Sequence, residues 1–141
     1  MVMKLLVDTS ALFKRFVNEA GQGDVEAVIA QADSLVVAPH CKLELLSAAL
    51  RLRREGRLDA AGWQNVCSEI DGSLAEVEVL PLTPSLERLA IRALEAAPLR
   101  AMDALHVAGA AMARVDLFVT ADRRQAAAAK AFGLTTQLIE V

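Results

Sequence analysis

Residues 5–13 read LLVDTSALF. Three apolar residues run straight into Asp8, two hydroxyl residues follow, and Leu12, Phe16 and Val17 then recur at helical spacing. A short buried strand turning directly into a helix is the unit from which α/β folds are built. The acid at its tip calls for a partner, because a carboxylate beside apolar surroundings is costly unless opposite charge or hydrogen-bond donors meet it.

The same alternation continues along the chain. SLVVA at 34–38 is β-branched and apolar and stops at Pro39; EVEVLPL at 76–82 alternates and ends at Pro81; DLFVT at 116–120 and TTQLIEV at 135–141 are further strands. Helical patterns fill the intervals. They cover 9–20 up to Gly21, 24–32, 42–55 with Gly56 as a stop, 59–74, 83–97, 102–114 and 121–133. The helix at 83 opens with Thr83 as cap and Pro84 in its first turn. Most of the strands are continuously apolar, which predicts a mainly parallel sheet buried on both faces. The expectation is one α/β domain over residues 1–141, with three layers, α/β/α.

Composition narrows the function. The chain has 141 residues, a net charge of −3 and 55% hydrophobic residues, but only 4% aromatics and no tyrosine. That favours closely packed helices over the aromatic platforms on which single-stranded nucleic acids stack. With no global basic field, contact with a polyanion requires a local patch. Cys41 and Cys67 form no CxxC pair and read as reduced thiols. The apolar start is strand-length and runs into Asp8, so no secretory leader is expected. The least polar stretch, 104–113, contains His106 and is too short to span a bilayer. A soluble, cytoplasmic chain without membrane contact is the expectation.

Sites in open parallel sheets form at the carboxyl ends of the strands. Asp8 ends the first strand and Asp122 lies just past LFVT, while Glu44 and Asp103 lie near the starts of helices. All four can converge on one rim. Singly, Asp8, Asp103 and Asp122 are each explained as helix caps or first-turn acids, and Glu44 as an exposed acid. Together, four carboxylates repel and take up protons unless cations balance them. Hard oxygen donors of this kind suit Mg²⁺ or Mn²⁺, and such ions activate water for attack on phosphodiesters.

Four blocks in order carry a family resemblance: LLVDTSALFKRFVNEAG at 5–21, VVAPHCKLELLSAALRLRREGRL at 36–58, LRAMDALHVAGAAMA at 99–113 and LFVTADRRQAAAAKAFGL at 117–134. The chain resembles the PIN domain family, and within it the VapC toxins of toxin–antitoxin pairs. The resemblance implies a metal-dependent ribonuclease with a parallel sheet flanked by helices. It implies an acidic quartet of Asp8, Glu44, Asp103 and Asp122, with Asp8 and Asp103 as direct ligands of Mg²⁺ or Mn²⁺. Glu44 and Asp122 then ligate, orient water or hold a second ion. Ser10 and Thr120 resemble residues that position water or an acid, and turn or cap hydrogen bonds explain them equally well. A cognate antitoxin and a homodimer are the implied partners beside the RNA substrate.

RLRREGR at 51–57 offers Arg51, Arg53, Arg54 and Arg57 as phosphate contacts, against the plain alternative of a solvated helix end. Arg51 lies two turns beyond Glu44 on the same helix face. Arg123 and Arg124 beside Asp122 make a smaller patch. Lys42 is expected to face solvent. His106, one turn after Asp103, reads as a core histidine or a support for ligands rather than a ligand. His40 and Glu44 are four apart, but Cys41 completes no zinc set at recognised spacing, so zinc is not expected. Two other Mg²⁺-dependent α/β classes fit less well: a receiver domain lacks its lysine in the final strand, and a haloacid-dehalogenase phosphatase wants an aspartate where Ser10 stands. A catalytically idle PIN scaffold that binds RNA or protein is the alternative to the nuclease.

Overall fold

The computed structural model of the chain describes residues 3–140. Five strands and seven α-helices alternate: β1 (Lys4–Val7), α1 (Thr9–Leu12), α2 (Gln22–Ala30), β2 (Ser34–Val37), α3 (Cys41–Arg54), α4 (Ala60–Leu74), β3 (Glu78–Val79), α5 (Pro84–Ala96), α6 (Ala101–Ala113), β4 (Leu117–Thr120), α7 (Arg123–Ala131) and β5 (Thr136–Leu138). The strands form one sheet in the order β3-β2-β1-β4-β5. Every pairing is parallel, with Leu5 opposite both Leu35 and Leu117. The chain winds one way from β1 to β3 and the other way through β4 and β5. The order therefore reverses at β1, and the crevice beyond the carboxyl ends of β1 and β4 is the topological switch point.

Period-two alternation assigns each strand residue to one of two cores. Leu5, Val7, Val37 and Val119 face α1 to α4, where they pack with Val25, Leu45, Val66 and Ile70. Leu6, Val36 and Phe118 face the other way, against Leu86, Ala104, Val107, Ala108 and Ala129 of α5, α6 and α7. The three layers are thus as expected. α6 lies close on its sheet face because Gly109 has no side chain: a Cβ there would stand 3.1 Å from Leu80 Cδ1 and 3.2 Å from Leu6 Cδ1.

Two elements depart from the sequence expectation. The helix foreseen over 9–20 ends at Leu12 and tightens into a single 3₁₀ turn, Phe13–Arg15. Gly21 does not terminate that helix. It is the N-cap of α2, at φ 94°, where any Cβ would also lie 2.9 Å from Ile139 Cγ2. The strand foreseen over 76–82 pairs only at Glu78–Val79, on the sheet edge. Leu80 adds one bond from its N–H to Val37 O at 3.0 Å before Pro81 removes the next donor. The last expected strand includes Val141, which lies outside the described residues. Among the described residues, no helix is long and apolar enough to cross a membrane.

Candidate metal centre

Asp8 leaves β1 as the N-cap of α1 and is only 2% exposed. Its Oδ1 accepts from Ala11 N at 3.1 Å and from the Ser10 hydroxyl at 2.7 Å. Its Oδ2 accepts from the hydroxyl of Thr120, the fully buried last residue of β4. Thr120 Oγ1 in turn accepts from Asp122 N at 3.0 Å, and Ser10 Oγ accepts from Ala121 N at 3.0 Å. The ends of the two central strands are therefore sewn together around one carboxylate. Burial pushes the Asp8 carboxyl above its usual range, against the opposing pull of His106 and of the Thr120, Ser10 and Ala11 donors.

Asp122 caps α7, its Oδ1 accepting from Arg124 N at 2.9 Å and Gln125 N at 3.4 Å. For Asp8 and Asp122 the capping explanation is thus correct without excluding a second role, since each cap leaves lone pairs free. Asp103 is different. The N-cap of α6 is Arg100, and among the described residues Asp103 Oδ2 has only the Arg100 guanidinium, 3.6 Å away, as an ionic partner. Asp103 is a first-turn acid of α6 rather than its cap.

Glu44 stands in the first turn of α3. Its Oε1 accepts from the Thr9 hydroxyl at 2.7 Å and lies 2.7 Å from His106 Nε2. His40 Nε2 is 3.2 Å from the same oxygen. Burial alone would raise this carboxyl. The hydrogen bond from His106, the approach of His40, the His106 charge and the Thr9 hydroxyl outweigh it and hold Glu44 well below the usual range.

These four acids, with Ser10, Thr9, His106, Arg51 and Gln125, line one cleft of about 260 Å³ over the switch point. Of the four arginines singled out in the sequence, only Arg51 lines it. Arg57 pairs with Glu55 at 3.6 Å and lines a separate groove with Phe16 and Leu58. Arg53 and Arg54 are exposed near the end of α3. Lys42 faces solvent and pairs with Asp71 at 2.8 Å. A larger groove, about 720 Å³, lies beside Asp33 and Ser34 at the start of β2, away from the carboxylates.

Thr9 and Gln125 are site residues that sequence reasoning passed over. Gln125 is 2% exposed, and its Oε1 has no hydrogen-bond partner among the described residues. Thr9 carried one available signal, a hydroxyl beside a strand-end acid, but its partner Glu44 is 35 residues away.

The donor set suits a hard divalent cation. Carboxylates and hydroxyls converge on one cleft, and the most buried of the acids is pushed toward protonation by its burial. Asp8, Asp103, Asp122 and Glu44 are the carboxylates of the cleft that could hold such an ion.

The PIN domain profile matches residues 5–131. Among curated proteins, none matches the chain in sequence. Solved structures similar to it include PAE2754 from Pyrobaculum aerophilum, at 22% identity and a TM-score of 0.65, covering 100% of this chain and 91% of that one. VapC20 of Mycobacterium tuberculosis, a sarcin-ricin loop cleaving toxin, is similar at 21% identity and a TM-score of 0.68, covering 88% of this chain and 94% of that one. A toxin–antitoxin complex from Klebsiella pneumoniae contains a chain similar at 13% identity and a TM-score of 0.63, with 86% and 88% coverage. At these identities the likeness is one of fold.

Proposed function

The chain belongs to the PIN domain family, and on that premise we propose that it is a Mg²⁺- or Mn²⁺-dependent endoribonuclease, the toxin of a VapBC-type toxin–antitoxin pair. One observation carries the reading: Asp8, Glu44, Asp103 and Asp122 line a single cleft at the switch point of the sheet. Their sequence positions span 114 residues (122 − 8), so the fold, not local capping, gathers them.

The divalent cation would supply polarisation of the phosphodiester and activation of the attacking water. The chain's own residues supply position and charge. Thr120, Ser10 and Ala11 N hold both oxygens of Asp8 in a fixed plane. Thr9 and His106 hold Glu44 Oε1 in the same way, leaving Oε2 without a hydrogen bond among the described residues. Asp103 and Asp122 add negative charge to the cleft, and Arg51 at its edge offers a cation to the RNA backbone. The hydroxyls that meet Asp8 and the Cys41 thiol are poor nucleophiles. The Ser10 and Thr120 protons are committed to Asp8, and burial keeps the Cys41 thiol protonated. Water is the nucleophile that remains, and preorganised electrostatics are the main contribution asked of the protein.

The toxin reading draws on the similarity to VapC20 and to the chain of the Klebsiella complex. It carries with it an antitoxin partner and a homodimer. Incubating the purified protein with total cellular RNA tests the activity: internal cuts appear with Mg²⁺ or Mn²⁺ and vanish with EDTA. Intact RNA under all conditions would favour an idle scaffold that binds RNA or protein.

A further inference from the structure

Two imidazoles meet on one carboxylate at the rim of the cleft. His40 immediately precedes α3, Glu44 lies one turn into it, and His106 comes from α6, on the opposite face of the sheet. The rings are 4.5 Å apart between centroids, and the ligating atoms of all three residues lie within 4.8 Å of one another. His106 Nε2 is 2.7 Å and His40 Nε2 3.2 Å from Glu44 Oε1. For comparison, four ligands at tetrahedral zinc distances stand about 3.3–3.4 Å from each other.

A second observation is independent of that convergence. Both ring nitrogens of His40 are buried and make no hydrogen bond among the described residues; the 3.2 Å approach to Glu44 is not aligned as one. His106 Nδ1 is buried and unpartnered as well. Buried polar atoms are nearly always satisfied, so Nδ1 of His40 and Nδ1 of His106, neither of which meets a partner among the described residues, are both open to one.

We propose that His40, Glu44 and His106 form a second metal site, selective for a borderline transition ion such as Zn²⁺ or Co²⁺, that adjoins the all-oxygen centre and shares Glu44 with it. Imidazole nitrogen is a donor that Zn²⁺ and Co²⁺ prefer and Mg²⁺ avoids. Three protein ligands leave a fourth position, and Glu44 and His106 both line the cleft. Thr9 is the outer partner of the ligating carboxylate, through its 2.7 Å bond to Oε1. Cys41 is not part of the site: its thiol is buried and pushed up to about 12, first by burial. The spacing of His40, Cys41 and Glu44 conceals the site because the third donor comes from 62 residues beyond Glu44. An ion here joins the two helical layers across the strand ends, so its binding raises thermal stability. The proposal does not depend on the nuclease reading.

The test is Co²⁺ titration of protein stripped with chelator, in an excess of Mg²⁺, followed by visible absorption and thermal melting. The wild type is expected to bind one Co²⁺ with the absorption of a low-coordinate site and to melt higher, and Zn²⁺ displaces the colour. His40→Ala weakens binding by at least about tenfold, while Asp103→Asn keeps it. His106 is 2% exposed and its replacement risks misfolding, so His40→Ala, at a helix start, carries the comparison. Absence of Co²⁺ absorption in the wild type, equal affinity in His40→Ala, or loss of binding in Asp103→Asn would each overturn the proposal.

Discussion

Thr120 donates its hydroxyl to Asp8 across 112 residues of sequence, and both side chains are buried. The bond ties the end of β4 to the end of β1, the two strands that flank the switch point. The same carboxylate caps α1. A single acid therefore serves the fold and faces the cleft, and its two duties make different demands.

Replacing Thr120 by valine keeps the shape and removes the donor, leaving one Asp8 oxygen short of a partner in a buried place. Urea unfolding should show a loss of about 1–3 kcal/mol. Thr120→Ser, which restores a hydroxyl, should recover most of it. Equal stability of Thr120→Val and wild type would remove this bond from the account.

Burial raises the Asp8 carboxyl above 3.8 in the folded chain. Between 3.8 and that raised value the folded state binds more protons than the unfolded one, so the Asp8 contribution to stability declines as pH rises through the window. Above it, ionised Asp8 costs stability that a neutral amide in its place would not. Metal-free Asp8→Asn should therefore be more stable than metal-free wild type at neutral pH, with the gap closing as the solution is acidified toward 3.8. Added Mg²⁺ should stabilise the wild type and leave the variant unmoved. Denaturant melts across pH, with and without Mg²⁺, check both statements.

The two cysteines differ in environment. Burial pushes the Cys41 thiol up to about 12; the Thr9 hydroxyl offsets part of this, and the Glu44 and Asp8 charges add to it. Cys67 is only partly buried. A disulfide-exchange reagent should titrate one thiol in the native protein at mildly alkaline pH and two after denaturation, because the thiolate is the reactive form. Two rapidly reacting native thiols would contradict the packing around α3.

Much of this was legible in the sequence, and the reasons are physical. Strands buried on both faces are apolar throughout, so LLV and LFV announce themselves, and the residues that end them, Asp8 and Thr120, fall at the carboxyl rim by construction. Asp103 and Glu44 were placed by their position in first turns and by resemblance. What stayed hidden depends on which strands are neighbours. The bonds from Thr9 and His106 to Glu44 span 35 and 62 residues and exist only because β1 sits between β2 and β4. No local period encodes that order. Within the arginine run, Arg51 lines the cleft, whereas Arg53, two residues on and about 200° around the helix, points away from Arg51. The early end of α1 and the two-residue β3 likewise reflect tertiary packing and edge position rather than propensity.

Whether the acidic cleft is a nuclease centre is tested by comparing RNA cleavage by wild type, Asp8→Asn and Asp103→Asn in Mg²⁺ or Mn²⁺, each variant first shown to be folded. Metal-dependent internal cleavage by the wild type is expected. Both variants should lose at least about a hundredfold, the scale expected when a group that stabilises transition-state charge is removed. Cleavage that persists undiminished in folded Asp8→Asn and Asp103→Asn would contradict this reading, because the activity would then not reside in the acidic cleft.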